Sequence, residues 1–186
     1  MPFHQTGIPG LMVFEPKVFE DSRGYFFESY NERVCRESGI DTNFLQDNQA
    51  KSSYGVVRGL HYQLDPHSQT KFIRVLTGSI LDVVVDLRKN SPSFGKVYSI
   101  ELSAENRKQL FIPQGFAHGY SVLSETSEVF YKCDQFYNKE AEAGIIYNDP
   151  ELNIDWQIPA DRMIISDKDK VHPQFADAKY NFLFKN

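Results

Sequence analysis

Short runs of alternating polarity, each closed by Gly, Pro, Asn or Ser, fill this chain from end to end and restrict it to β-structure. Leu81, Val83, Val85 and Leu87 alternate with Asp82, Val84, Asp86 and Arg88. That period of two sends successive side chains to opposite faces of a sheet. Tyr98, Ile100 and Leu102 alternate in the same way with Val97, Ser99 and Glu101. Residues 110–112, 119–123 and 129–133 are further β-branched or aromatic runs. Turns are marked by Thr77-Gly78, Asn90-Ser91-Pro92 and Pro113-Gln114-Gly115. One short helix is predicted over 32–38, with Asn31 as its N-cap and Gly39 just past its end. Late prolines and the polar stretch 166–170 predict a looser C-terminal segment that folds back on the barrel. With 186 residues and no internal repeat or linker, the expectation is one domain over 1–186. Its class is all-β, a sandwich or jelly-roll barrel with a few short helices.

Charge narrows the partners. Twenty Lys and Arg against 25 Asp and Glu leave a net charge of −5, which offers no general surface to nucleic acid or to an anionic membrane. A phosphorylated ligand would need arginines gathered at one place. Cys35 and Cys133 form no CxxC pair, and the N-terminus carries no apolar signal, so a reducing cytoplasm with both thiols free is expected. No apolar run approaches the roughly 20 residues of a membrane helix.

Two histidines stand on runs that read as neighbouring strands, His61 in Arg58-Gly59-Leu60-His61-Tyr62-Gln63 and His118 in Pro113-Gln114-Gly115-Phe116-Ala117-His118-Gly119. Small barrels that hold iron or zinc use several His and carboxylate ligands. Here Gln63 occupies the position two after His61, which points to proton transfer by side chains rather than by a metal site. Alternation puts Gly59, His61 and Gln63 on one face and Leu60 and Tyr62 on the other. His61 is then either an enclosed base, since imidazole exchanges protons near neutral pH, or a core histidine bonded to a carbonyl. A base of this kind gains from a carboxylate that fixes its tautomer, for which Asp167 and Asp169 are candidates; a charged turn such as Ser166-Asp167-Lys168-Asp169 is otherwise simply solvated. Tyr131 shares an apolar face with Val129 and Cys133, where it is a general acid or a structural phenol. Lys71 shares a face with Ile73 and Val75, placed to stabilise an enolate oxygen or to reach water from the strand end. Arg23, Arg58 and His118 are potential phosphate contacts or salt-bridge residues. Tyr137 offers a flat ring to a base or packs on its neighbours, and Gln46, Asp47 and Asn48 are a polar cluster or a loop.

Taken together, Asp21-Ser22-Arg23-Gly24-Tyr25-Phe26-Phe27-Glu28, Gln46-Asp47-Asn48, Val57-Arg58-Gly59-Leu60-His61-Tyr62-Gln63, Ser91-Pro92-Ser93-Phe94-Gly95, Asn148-Asp149-Pro150 and Ser166-Asp167-Lys168-Asp169 resemble, in order, the dTDP-4-dehydrorhamnose 3,5-epimerase family. The Pro-x-Gly-x-x-His element at Pro113–His118 says only cupin; the Arg-Gly-Leu-His-Tyr-Gln stretch says epimerase. The resemblance implies a cupin-fold, cofactor-free and metal-free enzyme acting on dTDP-4-dehydro-6-deoxy-D-glucose. It implies His61 as proton acceptor, Asp169 as its orienting carboxylate, Tyr131 as proton donor and Lys71 as stabiliser of the oxyanion. Arg23, Glu28, Gln46, Asn48, Arg58, His118, Glu142 and Lys168 match positions that bind the nucleotide and sugar, and Tyr137 matches the residue that stacks on thymine. It also implies a homodimer in which each chain supplies part of its neighbour's site. Thr70 stands where the family more often has Gly, and Gln157-Ile158 follows Trp156 where Pro is common. The rival readings are an epimerase acting at C3 or C5 alone, a metal-dependent cupin enzyme, and a non-catalytic binding module, for which an acid–base pair would be superfluous.

Overall fold

The computed structural model describes residues 2–184; Met1 and residues 185–186, the ends of the expected 1–186 domain, lie outside the described residues. The first strands are β1 (Phe3–Gln5), β2 (Met12–Phe14), β3 (Phe19–Asp21) and β4 (Gly24–Phe26), followed by helix α1 (Glu32–Glu37). Then come β5 (Gln46–Ser53), β6 (Val56–Gln63), β7 (Lys71–Thr77), β8 (Ser79–Asp86) and β9 (Val97–Ser103). The chain continues through β10 (Gln109–Ile112), β11 (Phe116–Val122), β12 (Thr126–Cys133), β13 (Glu142–Gly144) and β14 (Ile164–Ile165). Short 3-10 turns lie at Ala160–Arg162, Asp169–Val171 and Phe175–Asp177.

Two sheets form the barrel. One runs β1-β2-β10-β7-β12-β5; the other runs β13-β6-β11-β8-β9, with β14 added parallel to the start of β6. Between them Val13, Ile73, Val75, Leu110, Ile112 and Val129 meet Ile80, Val84, Leu102, Phe116, Tyr120 and Val122. This two-sheet barrel is the jelly roll that the alternating runs imply.

Strand β8 is covered on both of its faces. Ile80 and Val84 point between the sheets, whereas Leu81, Val83 and Val85 pack outward against Trp156, Ile145, Phe175 and Phe182. The C-terminal segment therefore closes over the outer face of this sheet, with Trp156 and Phe182 only 2% and 3% exposed. Asp86, fully buried on β8, is held by Arg88, Ser91 and Ser93.

Helix α1 covers the outer face of the other sheet. Its N-cap Asn31 accepts from the N–H groups of Arg33 and Val34. At the far end Gly39, with φ +83°, donates to the Arg36 carbonyl and Ile40 to the Cys35 carbonyl. This is the C-terminal cap that a left-handed glycine permits. Cys35 and Ile40 then pack on Met12, Phe14, Phe72 and Phe111. The β3–β4 hairpin stands apart as its own two-stranded sheet, with Phe19, Tyr25 and Phe26 all more than half exposed.

Candidate active site

His61 lies near the end of β6, opposite His118 on β11 and opposite Gly144 on β13. On β11 the step from His118 to Tyr120 covers two residues, while on β6 the matching step from His61 to Arg58 covers three. The extra residue falls at Gly59 and Leu60, where the two backbones nearly touch: a Cβ on Gly59 would sit 2.6 Å from the Gly119 Cα. Such a bulge re-aims side chains. It brings Arg58 and His61 to one cavity of about 390 Å³, lined also by Lys168 and Asp169. Simple alternation would have sent Arg58 to the opposite face.

The Nε2 of His61 lies 2.7 Å from Oδ1 of Asp169, and Oδ2 of the same carboxylate accepts from the Gly59 N–H at 3.3 Å. Asp169 is 3% exposed, in the 3-10 turn Asp169–Val171. Burial alone would raise its carboxyl, but the bond and charge of His61 and the Gly59 N–H outweigh that and hold it below the ordinary carboxylate value. Asp167, the other candidate, is fully exposed and pairs with Lys170. The carboxylate fixes one imidazole nitrogen, while Nδ1 carries no hydrogen bond among the described residues and is available for a proton.

Across the barrel, β12 and β7 carry Tyr131 and Lys71 toward the same interior. Tyr131 packs on the inter-sheet core beside Val129, as alternation predicts. Burial pushes its phenol up to about 12, with the neighbouring Cys133 and Tyr120 adding to the effect and Arg58 opposing it, so it keeps its proton at neutral pH. Lys71 makes no ion pair within 4.0 Å among the described residues. Burial lowers its pKa, against the pull of Cys133 and Asp82. Gln46 and Asn48 belong to β5, not to a loop. They pair in register with Cys133 and Tyr131 and bond to each other at 2.9 Å, while Asp47 between them points away to Lys132.

His118, read from sequence as a phosphate contact or a salt-bridge residue, is 8% exposed within the barrel wall. Its Nε2 lies 2.9 Å from Oδ2 of the fully buried Asp82. Burial lowers its pKa, with Asp82 opposing and the charges of Lys71 and His61 reinforcing the effect. It is a neutral donor or acceptor facing the interior, next to Lys71 rather than at the surface.

At the rim, Lys168 pairs with Glu142, and the Tyr137 hydroxyl donates to Glu142 at 3.0 Å. Burial opposes the charge on Glu142, yet these two partners keep its carboxyl below the ordinary value. The Tyr137 ring is 56% exposed, and its N–H donates to Gln46. Gln63 is committed to the framework: its amide donates to the carbonyls of His67 and Phe136 and accepts from the Asn138 N–H.

Two candidates are not brought to this cluster. Arg23 bonds to Asp21 in its own hairpin, and Glu28 accepts from Asn31. Neither bonds to a residue of the cluster among the described residues.

Sequence reasoning passed over His172 and the pairing role of Asp82. The Nε2 of His172 lies 3.7 Å from Asp169 Oδ1, and the two imidazoles meet edge to face with centroids 5.7 Å apart. The ligating atoms of His61, Asp169 and His172 all lie within 4.8 Å of one another. The shortest of those separations is a hydrogen bond, so the set is a bonded dyad with a third ring beside it. The chemistry this supports is proton transfer between a side-chain base and carbon.

The family model described as dTDP-4-dehydrorhamnose 3,5-epimerase matches residues 5–177. The dTDP-4-dehydrorhamnose 3,5-epimerase of Shigella flexneri is 50% identical over 177 residues, covering 95% of this chain and 97% of that protein. The crystal structure of dTDP-4-dehydrorhamnose 3,5-epimerase from Elizabethkingia anophelis superposes with a TM-score of 0.91 at 52% identity, covering 94% of this chain and 96% of that one. The dTDP-6-deoxy-D-glucose-3,5-epimerase of Legionella pneumophila, solved in complex with dTDP-4-keto-L-rhamnose, gives a TM-score of 0.90 at 42% identity, with coverages of 94% and 93%.

Proposed function

The chain belongs to the dTDP-4-dehydrorhamnose 3,5-epimerase family, and from that premise we propose that it inverts C3 and C5 of dTDP-4-dehydro-6-deoxy-D-glucose, with His61 as the base. It is an isomerase acting on a nucleotide sugar. The observation that carries the assignment of roles is the pair of His61, on one sheet, with the buried Asp169 at 2.7 Å, set against a protonated Tyr131 on the other sheet.

The C4 ketone makes the hydrogens on C3 and C5 acidic. His61 Nδ1 takes one of them, and the electron pair of the C–H bond moves into the carbonyl to give an enolate. Lys71 and His118 face the interior where its oxygen would lie. The burial that disfavours the Lys71 cation strengthens its attraction to that oxyanion. Asp169 supports the imidazolium formed on His61. At C5 Tyr131 then delivers its proton to the opposite face of the carbon, and the carbonyl re-forms with inverted configuration. The His61 imidazolium then loses its proton to solvent and the Tyr131 phenolate regains one, which resets the pair before the other carbon is inverted. A base on one sheet and an acid on the other suit inversion, because the two protons must cross opposite faces of the sugar. No cofactor enters this scheme.

Arg58, Lys168, Glu142, Gln46 and Asn48 are assigned to the nucleotide sugar at the mouth of the pocket, and the exposed Tyr137 ring to the thymine. Arg23 and Glu28 are assigned to the site of a second copy. The hairpin, a separate two-stranded sheet with exposed aromatics, supports a homodimer in which each chain lends this arm to its neighbour. No helix among the described residues is long and apolar enough to cross a membrane; with Cys35 and Cys133 free, the protein is assigned to the cytoplasm as one domain.

Incubation with dTDP-4-dehydro-6-deoxy-D-glucose in deuterated water tests the assignment. Deuterium at both C3 and C5 is the expected result. Label at one carbon alone would replace it with single epimerisation, and no label would overturn it.

A further inference from the structure

His172 occupies a place made for it. On β13 the residue paired with His61 is Gly144, and a Cβ there would come within 2.6 Å of the His172 ring. The strand thus carries no side chain beside the base, and an imidazole from the covering segment fills the space. That ring stands edge-on to His61 at an interplanar angle of 72°. Its Nε2 is buried without a hydrogen-bond partner among the described residues. A buried nitrogen left unpaired is destabilising, so an apolar ring would fill the slot more cheaply if packing were its only task. The nearest acceptor is Asp169 Oδ1 at 3.7 Å, just beyond bonding distance. One oxygen therefore faces two imidazoles and is bonded to one of them.

We propose that His172 is a positioning residue for the proton-transfer pair: neutral, it braces the His61 ring and leaves Asp169 to His61; protonated, it takes Asp169 Oδ1 for itself and sets a second positive charge beside the base. The inference rests on His61 being that base. The charged groups around His172 come from three elements: His61 on β6, Glu142 on β13, and Lys168 and Asp169 on its own segment. Burial is the main force against its cation, and His61 and Lys168 add to it, while Asp169 and Glu142 favour it. The balance lies below the ordinary imidazole value, so His172 is neutral at pH 7 and gains its proton only as the solution turns acid.

The acid limb of kcat/KM then reports two protonations. In the unaltered enzyme, log kcat/KM should steepen from a slope of one toward two as pH falls. In His172→Phe and His172→Gln, which cannot titrate, the slope stays at one, and kcat falls by about tenfold with KM nearly unchanged, because His61 loses its brace. A purely structural ring would lower activity equally at all pH values, and an acid limb of unchanged slope in both variants overturns the proposal. Should neither variant fold, imidazole NMR titration of the unaltered protein decides. A His172 signal that titrates within the acid limb supports the proposal, and one that stays neutral through it overturns it. His61→Asn separates the two levels of argument. An inactive His61→Asn with an unchanged His172 limb sinks only this inference; a His61→Asn that still exchanges solvent deuterium removes the base assignment and this inference together.

Discussion

His61 and Tyr131 divide the reaction between them, and their variants should fail differently. His61→Asn is expected to lose solvent deuterium exchange into the sugar by about 10²- to 10⁴-fold, the span of one general base; exchange at the unaltered rate in the folded variant would remove His61 from that role. Tyr131→Phe keeps the base and should still label the substrate while inversion at C5 is impaired, and product formation at the usual rate by NMR would reject Tyr131 as the donor. The facing of these residues was legible, because a period of two places Tyr131 with Val129 and Lys71 with Ile73. The choice of Asp169 over Asp167 came from the family resemblance, since a tetrapeptide of alternating charge does not show which carboxylate turns inward. His172 gave no signal at all: it is a lone histidine in a polar segment, and its meaning depends on a glycine 28 positions earlier in the chain, at Gly144. Arg58 is the opposite lesson, a residue whose face is inverted by one extra residue in its strand.

Strand β6 is where local geometry makes the site. Gly59 adopts φ +132°, and any side chain there would strike the backbone of β11 at Gly119. Gly59→Ala is therefore expected to destabilise the fold by about 1–3 kcal/mol and to cut activity further, since the Gly59 N–H also holds Asp169. Urea denaturation checks the first part, and a variant as stable as the parent would show that the close approach of the two strands is not needed. The strands themselves read well from alternation, and helix α1 read well from its two caps, because those signals are local. The return of the C-terminal segment onto the barrel was read as well; what did not read is which face it covers. The alternation on β8 is the same whether its outer face meets water or Trp156, and only the return of the C-terminal segment makes both faces core. Gln46, Asp47 and Asn48 looked like a loop because an edge strand with polar residues on both faces lacks the apolar contrast by which strands are recognised.

At the scale of the whole molecule, acid should weaken the fold through Asp169. Its carboxyl is held below the ordinary value in the folded chain, so its pairing stabilises fully above the unfolded carboxyl value of about 3.9 and is lost as pH falls through the folded one. Asp169→Asn should start less stable at pH 7 and lose less on acidification; parallel stability–pH curves would reject this linkage. The shared site has its own test. Co-expression of His61→Asn with Arg23→Ala, each inactive alone, should restore roughly a quarter of full activity, since half of the dimers are mixed and each mixed dimer holds one intact site of two. No recovery would mean that each chain uses its own hairpin. The carboxylate that orients the base is carried not by the barrel but by the strap wound over its outside. A chain that has assembled both sheets and not yet seated that strap holds an imidazole with nothing to steer it. Full activity toward a ketosugar therefore waits on the seating of a segment that lies outside the core between the two sheets.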